Sequence, residues 1–509
     1  MKKYTLLSLS VAVLTACTIF ELVPAEAPYE SFSLVAGDTV KTRVDKVNKI
    51  KKDNNFNNSN YIVVGEQVIT YKEPKLHTPP AKDPDISQIK NNDDPDLKGR
   101  PLRMVATGGS LTAGVRDGGY FNEGIMTSYP NLIARQMKLK KFEQPLFDAA
   151  DYNGFDRKVK TNFNPTGGPV PKFNQISNNS AIDFSNGKAK LKKFQNNNNL
   201  DNFSIPYPSG NIAKPSVTSK SMLDYDFANK YPLSYATLER ITNNNESIFD
   251  KLFDKKFDLI IVEAGLDELW NEIFNAFLTD GKLYTKDYIF NNLDLKITKK
   301  SSYEAWGFDI SSTFIIAMEA NRQKVKFGCI LNSPEILKLP YFTFIPRKSV
   351  DDVIKMAGQF PDNYEINYLP SPTIDSMISP KVHISIKPGI RNSQSLSKFY
   401  DFISPDKLKY IRDLNVIYNN EKLQISKKFG YPVVDIKTLY DTILKGNFTT
   451  SDGVKVDPSY PNGNFFSLDG INPTAFGQAI IANEVIKVLN TTYKTDIPMI
   501  ATREYLLVK

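Results

Sequence analysis

Strand-type runs that alternate with helical patterns constrain this 509-residue chain more than any other feature. Residues 257–264 (FDLIIVEA) are apolar almost throughout, as strands buried inside a parallel sheet are, and a helical pattern follows at 267–278. Alternating strands and helices predict an α/β domain built on a parallel sheet. The other strand-type runs are 102–107, 326–331 and 431–436, and the other helical patterns are 129–137, 405–428 and 473–489.

Composition agrees with a large core and excludes nucleic acid as a partner. Hydrophobic residues make up 41% of the chain, so the core needs no disulfide or metal to hold it. The net charge is +8, but 56 acidic residues offset 64 basic ones. Because no Arg-rich patch or nucleic-acid-binding module is present, we predict that the protein binds no nucleic acid.

The chain divides into an N-terminal extension and an α/β region. Residues 17–100 contain Asn-rich and Pro-rich stretches, and we expect them to form an extension and tether. Within the tether, 61–64 and 67–71 are expected to pair as a small hairpin. The α/β region then occupies residues 101–509.

Two segments interrupt the α/β pattern. Residues 152 to about 250 are rich in Asn, Ser and Lys and have weak periodicity. Residues 336–400 carry Pro and aromatic residues. We expect both to be insertions on the loop side of the sheet, where α/β proteins bind ligands.

The amino terminus has the pattern of a lipoprotein signal. A basic start precedes an apolar run at 6–14, which is too short to span a bilayer and is typical of a signal peptide. The run ends in residues 14–17 (LTAC), which resemble the bacterial lipobox. The resemblance implies removal of residues 1–16 and acylation of Cys17. The alternative is a plain signal peptide followed by a chance cysteine.

A lipidated Cys17 would attach the protein to the outer membrane, since Thr18 is no clear signal for retention in the inner membrane. A periplasmic and a surface-facing orientation both stay open. The second cysteine, Cys329, then has no partner, and its apolar surroundings in the sequence predict an inert buried thiol.

A serine follows the first predicted strand of the α/β region. Gly108 and Gly109 lead into Ser110, and a serine in such a strand-to-helix turn presents its hydroxyl at the carboxyl end of the sheet. That position suits a nucleophile. The same residues also suit a simple tight turn.

Three separated segments together resemble the SGNH (GDSL-type) hydrolases, over about residues 101–495. The segment 339–346 (LPYFTFIP) resembles the lipoprotein branch of that family. The resemblance implies a three-layer α/β/α, flavodoxin-like fold and a cofactor-free, metal-free ester hydrolase site with Ser110 as nucleophile and Asp469 as the triad acid. The three segments are 109–114 (GSLTAG), 263–268 (EAGLDE) and 467–474 (SLDGINPT).

This sequence departs from the family pattern at its functional positions. Asn472 stands where the family has the catalytic His, and an amide cannot accept a proton near neutral pH. Asp267 stands where the family has an Asn that donates to the oxyanion, and an ionised carboxylate would repel that charge. Gly109 replaces the first-block Asp, and Gly154 is the candidate for the second-block glycine of the oxyanion region.

The departures favour structural roles for these residues. Asn472 before Pro473 suits a helix N-cap, and Asp267 and Glu268 suit the positive end of a helix. The chain has two histidines, His77 in the tether and His383 in the second insertion.

Three functions are therefore weighed. The first is a lipid-anchored envelope protein that has lost esterase chemistry and acts as a binding protein or as a subunit of an outer-membrane complex, with its ligand unknown. The alternative is an active lipid or carbohydrate esterase that uses Ser110 with an unconventional base, such as His383. The third is a cation site formed by Asp267, Glu268 and Asp469.

Overall fold

The computed structural model describes the larger part of the chain, with gaps. The predicted signal peptide, Cys17, His77 and His383 lie outside the described residues. These are 40–41, 61–64, 67–70, 80, 82–161, 172–176, 180–181, 191–206, 217–224, 232–243, 245–275, 312–343, 377–378, 402–403 and 405–506.

A parallel sheet of four strands, in the order β11-β8-β7-β4, forms the centre of the described domain. Three short antiparallel sheets, β1-β3-β2, β5-β6 and β9-β10, complete the strand pairings. The strands are β1 (Val40–Lys41), β2 (Tyr61–Val64), β3 (Gln67–Thr70), β4 (Met104–Thr107), β5 (Lys158–Thr161), β6 (Lys172–Gln175), β7 (Leu259–Glu263), β8 (Phe327–Leu331), β9 (Met377–Ile378), β10 (Phe402–Ile403) and β11 (Val433–Val434).

Helices connect these strands, and in the described part of the chain none is both long and apolar enough to span a bilayer. The α-helices are α1 (Ser110–Ala113), α2 (Asn122–Met126), α3 (Tyr129–Gln136), α4 (Ser219–Asp224), α5 (Pro232–Ile241), α6 (Ile248–Phe253), α7 (Leu266–Asn275), α8 (Ser312–Arg322), α9 (Pro340–Thr343), α10 (Pro405–Phe429), α11 (Ile436–Leu444) and α12 (Ala475–Tyr493). Short 3-10 turns are Ser87–Ile89, Ala149–Asp151, Asn197–Asn199, Ile336–Lys338 and Thr502–Tyr505.

Side chains of the central sheet belong to two separate cores. Met104 and Ala106 of β4 lie in the core that includes α3 and α12, whereas Val105 between them lies in a second core that includes α5, α6 and α8. Successive side chains of a strand point to opposite faces, so strands that are apolar on both faces are covered by helices on both. The predicted α/β domain with a parallel sheet is thus confirmed.

An extended segment continues the sheet beyond β4. The Ala106 amide donates to the Asp201 carbonyl at 2.9 Å, and the Phe203 amide donates to the Ala106 carbonyl at 2.8 Å. The bridge between Ala106 and Asn202 is parallel. Residues 201–205 therefore run alongside β4, and the order across the sheet is 201–205, β4, β7, β8, β11.

Much of the segment from 152 to 250 that the structure describes contributes to the core instead of decorating the loop side. Leu238 of α5 and Phe249 of α6 are buried in the same cluster as Ile260 of β7. The helices are only 10 and 6 residues long, and such short periodic stretches between Asn-rich loops carry a weak sequence signal.

Part of the expected tether also packs onto the domain. Asp85 and Asp496 exchange backbone hydrogen bonds of 3.1 and 2.8 Å, and Ile89 is buried. The predicted hairpin is confirmed, since β2 and β3 pair antiparallel with Tyr61 opposite Thr70.

The last helix begins two residues later than the sequence suggested. Thr474 is the N-cap of α12, and its hydroxyl accepts a hydrogen bond of 3.1 Å from the Gly477 amide. The prediction that Asn472 caps this helix is therefore wrong. Thr474 offers the better cap because its extended backbone leads directly into Ala475, whereas Asn472 belongs to the preceding loop.

Candidate functional site

The site forms where two neighbouring parallel strands end. β4 ends at Thr107 and leads through two glycines into α1, which begins at Ser110. β7 ends at Glu263 and leads through Gly265, with a φ of +113°, into α7. Because β4 and β7 are adjacent, the starts of α1 and α7 meet at the carboxyl edge of the sheet.

Asp267, in the first turn of α7, binds the candidate nucleophile directly. The backbone N–H of Ser110 donates to Asp267 Oδ2, and the Ser110 side chain hydrogen-bonds to the same carboxyl group. Ser110 is 1% exposed. Both the hydroxyl that would attack a substrate and an amide that would stabilise an oxyanion are therefore occupied by one protein side chain.

Gly109 makes room for that contact. A Cβ atom at position 109 would lie 2.2 Å from Asp267 Oδ2, which is closer than real Cβ contacts come. The Gly109 amide donates to Glu263 Oε2 at 2.9 Å, and the Thr112 hydroxyl donates to the same oxygen at 3.1 Å. Gly109 and Asp267, two separate departures from the family pattern, are therefore sterically one arrangement.

Burial raises the pKa of three carboxyl groups at this site above their ordinary values. Burial, and then the charge of Glu263, raise the pKa of Asp267 well above its ordinary value. Burial likewise raises the pKa of Glu263 and raises that of Glu268 to about 7. The expectation of an ionised Asp267 that repels an oxyanion is thus replaced by a buried carboxyl group that already binds Ser110.

Lys422 of α10 lies close enough to these carboxyl groups to feel their charge. Its Nζ donates to the Ser333 hydroxyl at 2.8 Å and to the Ala264 carbonyl. Burial lowers the pKa of Lys422, while the charges of Glu268 and Glu263 act in the opposite direction. This lysine therefore ties the loop after β8 to the loop after β7.

Asp469 holds Asn472 as the triad acid would hold a histidine. Asp469 Oδ1 accepts from the Asn472 amide at 2.7 Å, and Oδ2 accepts from Asn472 Nδ2 at 3.0 Å and from the Gly118 amide at 3.2 Å. Asn472 Oδ1 is buried and has no hydrogen-bond partner among the described residues. Asp469 therefore orients the Asn472 side chain, but an amide cannot serve as a base.

Gly154 has a structural role in a turn. Its amide donates to the Asp151 carbonyl at 2.8 Å, so this N–H is not available to an oxyanion. Its φ is +52°, and a Cβ there would lie 1.9 Å from the Tyr120 carbonyl oxygen. Glycine is needed at this position for backbone packing.

Sequence reasoning missed a buried arginine pair beside the site. Arg116 Nη2 and Arg157 Nη2 lie 3.2 and 2.8 Å from Glu123 Oε2. Both guanidinium groups lie over the Phe121 ring, with Cζ at 5.3 and 4.3 Å from its centroid. No motif or periodicity marks this group, because Arg157 reaches the other three residues only through the tertiary fold.

Asp117 connects the arginine pair to the loop before α12. Arg116 Nε lies 3.6 Å from Asp117 Oδ2, and Asp117 Oδ1 accepts from the Leu468 amide at 3.1 Å. The Asp117 amide in turn donates to the Ser467 hydroxyl at 3.0 Å. The turn after α1 and the Asp469 loop are thus held together.

The described residues do not form the cation site that was weighed as a third possibility. No group of three His, Cys, Asp or Glu side chains there is arranged to hold a metal ion. Asp267 binds Ser110, Glu268 accepts from the Gly265 amide at 2.6 Å, and Asp469 binds Asn472. Each carboxylate is therefore committed to a different local partner.

The prediction for Cys329 is confirmed. The side chain is a free, buried thiol in β8, and burial raises its pKa to about 12. A thiol with so high a pKa is protonated and unreactive at neutral pH.

Comparison with protein-family models, with curated proteins and with solved structures found no match to this chain.

Removing the charge shared by the two arginines is expected to destabilise the domain. Glu123→Gln removes the carboxylate that Arg116 and Arg157 share, leaves Arg116 its longer contact with Asp117, and should lower the free energy of unfolding by about 3 kcal/mol in urea denaturation. The control is Glu484→Gln, which breaks the surface pair with Lys487 and should cost less than about 1 kcal/mol. Equal losses for the two variants would contradict the assigned role of Glu123.

The pKa of Glu268 predicts a specific pH dependence. Folding raises this pKa from 4.5 to about 7, so the folded protein keeps a proton that the unfolded chain loses as the pH rises between these values. The resulting stabilisation is complete below about pH 4.5 and is lost as the pH rises through 7. Glu268→Gln should therefore raise the melting temperature more at pH 8 than at pH 5.

The control for this pH experiment has the opposite sign. Lys437 and Lys338 lower the pKa of Glu335, so Glu335→Gln should cost stability at pH 8 and little at low pH. The same pH profile for both variants would show that Glu268 does not titrate as described.

Proposed function

We propose that this chain is a lipid-anchored envelope protein with the architecture of the SGNH (GDSL-type) hydrolases, which has lost ester hydrolysis and acts as a binding protein or a subunit of an outer-membrane complex. The order of the sheet supports the fold part of the proposal. If 201–205 is counted as the second strand, the order is 2-1-3-4-5, which is the flavodoxin-like order. The Ser110 and Asp267 segments then lie at the topological switch point, where such folds bind ligands.

The engagement of Ser110 by Asp267 is the observation that supports loss of catalysis. A serine nucleophile needs a base within hydrogen-bond reach and free donors for the oxyanion. Loss of one such donor typically costs about 10²- to 10³-fold in rate, and loss of a triad member about 10⁴-fold. Here the Ser110 amide is occupied, and Asn472 stands at the position of the base.

An esterase assay tests this proposal against the active-hydrolase alternative. Purified protein from residue 18 onward and its Ser110→Ala variant should hydrolyse p-nitrophenyl acetate and butyrate at equal background rates, because Asp267 occupies the Ser110 amide and Asn472 stands at the position of the base. Hydrolysis that disappears in Ser110→Ala would instead establish an active enzyme with an unconventional base. Circular dichroism of both proteins checks that they are equally folded.

A repaired variant serves as the positive control for the assay. Asn472→His supplies an imidazole beside Asp469, and Asp267→Ala releases the amide and hydroxyl of Ser110. Asp267→Asn would be the weaker choice, because its amide oxygen can still accept from the Ser110 N–H. The combination Asn472→His with Asp267→Ala should hydrolyse ester only while Ser110 is present.

Membrane attachment is tested at the proposed lipidation site. Cys17→Ser should move the protein from the membrane fraction to the soluble fraction, because a diacylated cysteine supplies the two or more acyl chains that stable anchoring requires. Thr18→Ser is the matched control and should stay with the membrane. A Cys17→Ser protein that sediments with membranes after a high-salt wash would show that something other than lipid holds it there.

A further inference from the structure

A groove lies along α10, beside the edge strand β11. One wall is the face of α10 between Ile411 and Leu423, and the other is formed by the 332–338 and 433–438 segments. The volume of this groove is about 590 Å³. We call this feature the α10 groove.

The α10 groove contains two exposed apolar side chains. Val416 is 52% exposed and Leu423 is 49% exposed, and in the described part of the chain these are the exposed large hydrophobic residues. Both line the α10 groove. They are seven residues apart on one helix, so they lie on the same face, about 10 Å apart at ~1.5 Å per residue.

Two asparagines of the same helix face help to build the groove. Asn415 Nδ2 donates to the Pro334 carbonyl at 2.9 Å. Asn419 Nδ2 donates to the Ser333 carbonyl at 2.9 Å, and Asn419 Oδ1 accepts from the Ser333 amide at 2.8 Å. These bonds fix α10 against the 332–338 segment, so the groove is already formed in the absence of an occupant.

One basic residue at the end of the groove, Arg412, forms no ion pair with a described residue. At the other wall, Lys338 and Lys437 pair with Glu335 at 3.0 and 2.9 Å and also with Asp441. Arg412 lies one turn before Val416, is exposed, and makes no ion pair with any described residue. A carboxylate beside Val416 would therefore meet an arginine that pairs with no described acidic residue.

We propose that the α10 groove binds a short amphipathic helix of a partner protein, which places two apolar side chains over Val416 and Leu423 and a carboxylate on Arg412. Such a helix presents apolar residues at i and i+7, which matches the spacing of Val416 and Leu423. An acidic residue near its end would meet Arg412. This inference deepens the proposed role as a complex subunit and rests on it.

Site-specific photocross-linking in cells tests the proposal with the full-length, membrane-attached protein. A benzoylphenylalanine placed at Leu423 should cross-link to a helical segment of a partner, whereas the same probe at Gln424, which is exposed outside the groove, should not. A synthetic peptide of the cross-linked segment is then titrated against the purified protein by fluorescence anisotropy.

The expected result is selective loss of peptide binding. Leu423→Glu should weaken binding by at least about tenfold, because it puts a charge into the apolar contact. Arg412→Glu should weaken it by a similar factor and abolish its salt dependence. Gln424→Glu, which adds the same charge one residue away, should leave binding unchanged, with an unaltered circular dichroism spectrum in all three variants.

Several outcomes would overturn the proposal. They are the lack of a cross-link specific to Leu423, a cross-link to lipid, to a second copy or to another part of the same chain, and a peptide that binds equally to Leu423→Glu and Gln424→Glu. The esterase assay is independent of these outcomes. Hydrolysis dependent on Ser110 would overturn the proposed loss of catalysis, whereas failure of the peptide titration would overturn only the groove.

Discussion

The contact between Asp267 and Ser110 determines the character of this cleft. A carboxyl group from the helix after β7 binds the first amide and the hydroxyl of the helix after β4, and Gly109 has no side chain to prevent it. The helix termini that could otherwise stabilise an anion at this edge of the sheet are thus satisfied internally. This edge of the sheet is where α/β folds bind ligands, but its donors are engaged by the protein itself.

Charge burial accompanies this arrangement. Glu263, Asp267 and Glu268 lie close together, with Lys422 approaching from α10, and the raised pKa values of the carboxyl groups follow from desolvation and mutual repulsion. On the other side of α1, two arginines share Glu123. Buried charges are tolerated only when they are neutralised or paired, so these two groups hold the loops around Ser110 in one conformation.

Neighbouring residues of α10 have different environments. The Lys422 side chain is buried and donates to the Ala264 carbonyl and the Ser333 hydroxyl, whereas Val416 and Leu423 are exposed in the α10 groove. A helix that is buried on one face and apolar on an exposed stripe is typical of an element that also contacts a partner. The open apolar groove agrees with a role in binding, whereas the Ser110 region is filled by the protein's own side chains.

The sequence by itself determined the parallel α/β domain. The run at 257–264 is as short as a strand, and it is apolar almost throughout, as strands buried on both faces are. It also brought Ser110, Asp267 and Asp469 into consideration, through the resemblance of their three segments to one hydrolase family. Tertiary structure alone decided that Asp267 binds Ser110, that Thr474 and not Asn472 caps α12, and that Arg116 and Arg157 share Glu123. Local patterns report the burial of a residue's own element, whereas these contacts depend on which strand ends are neighbours and how closely their loops approach.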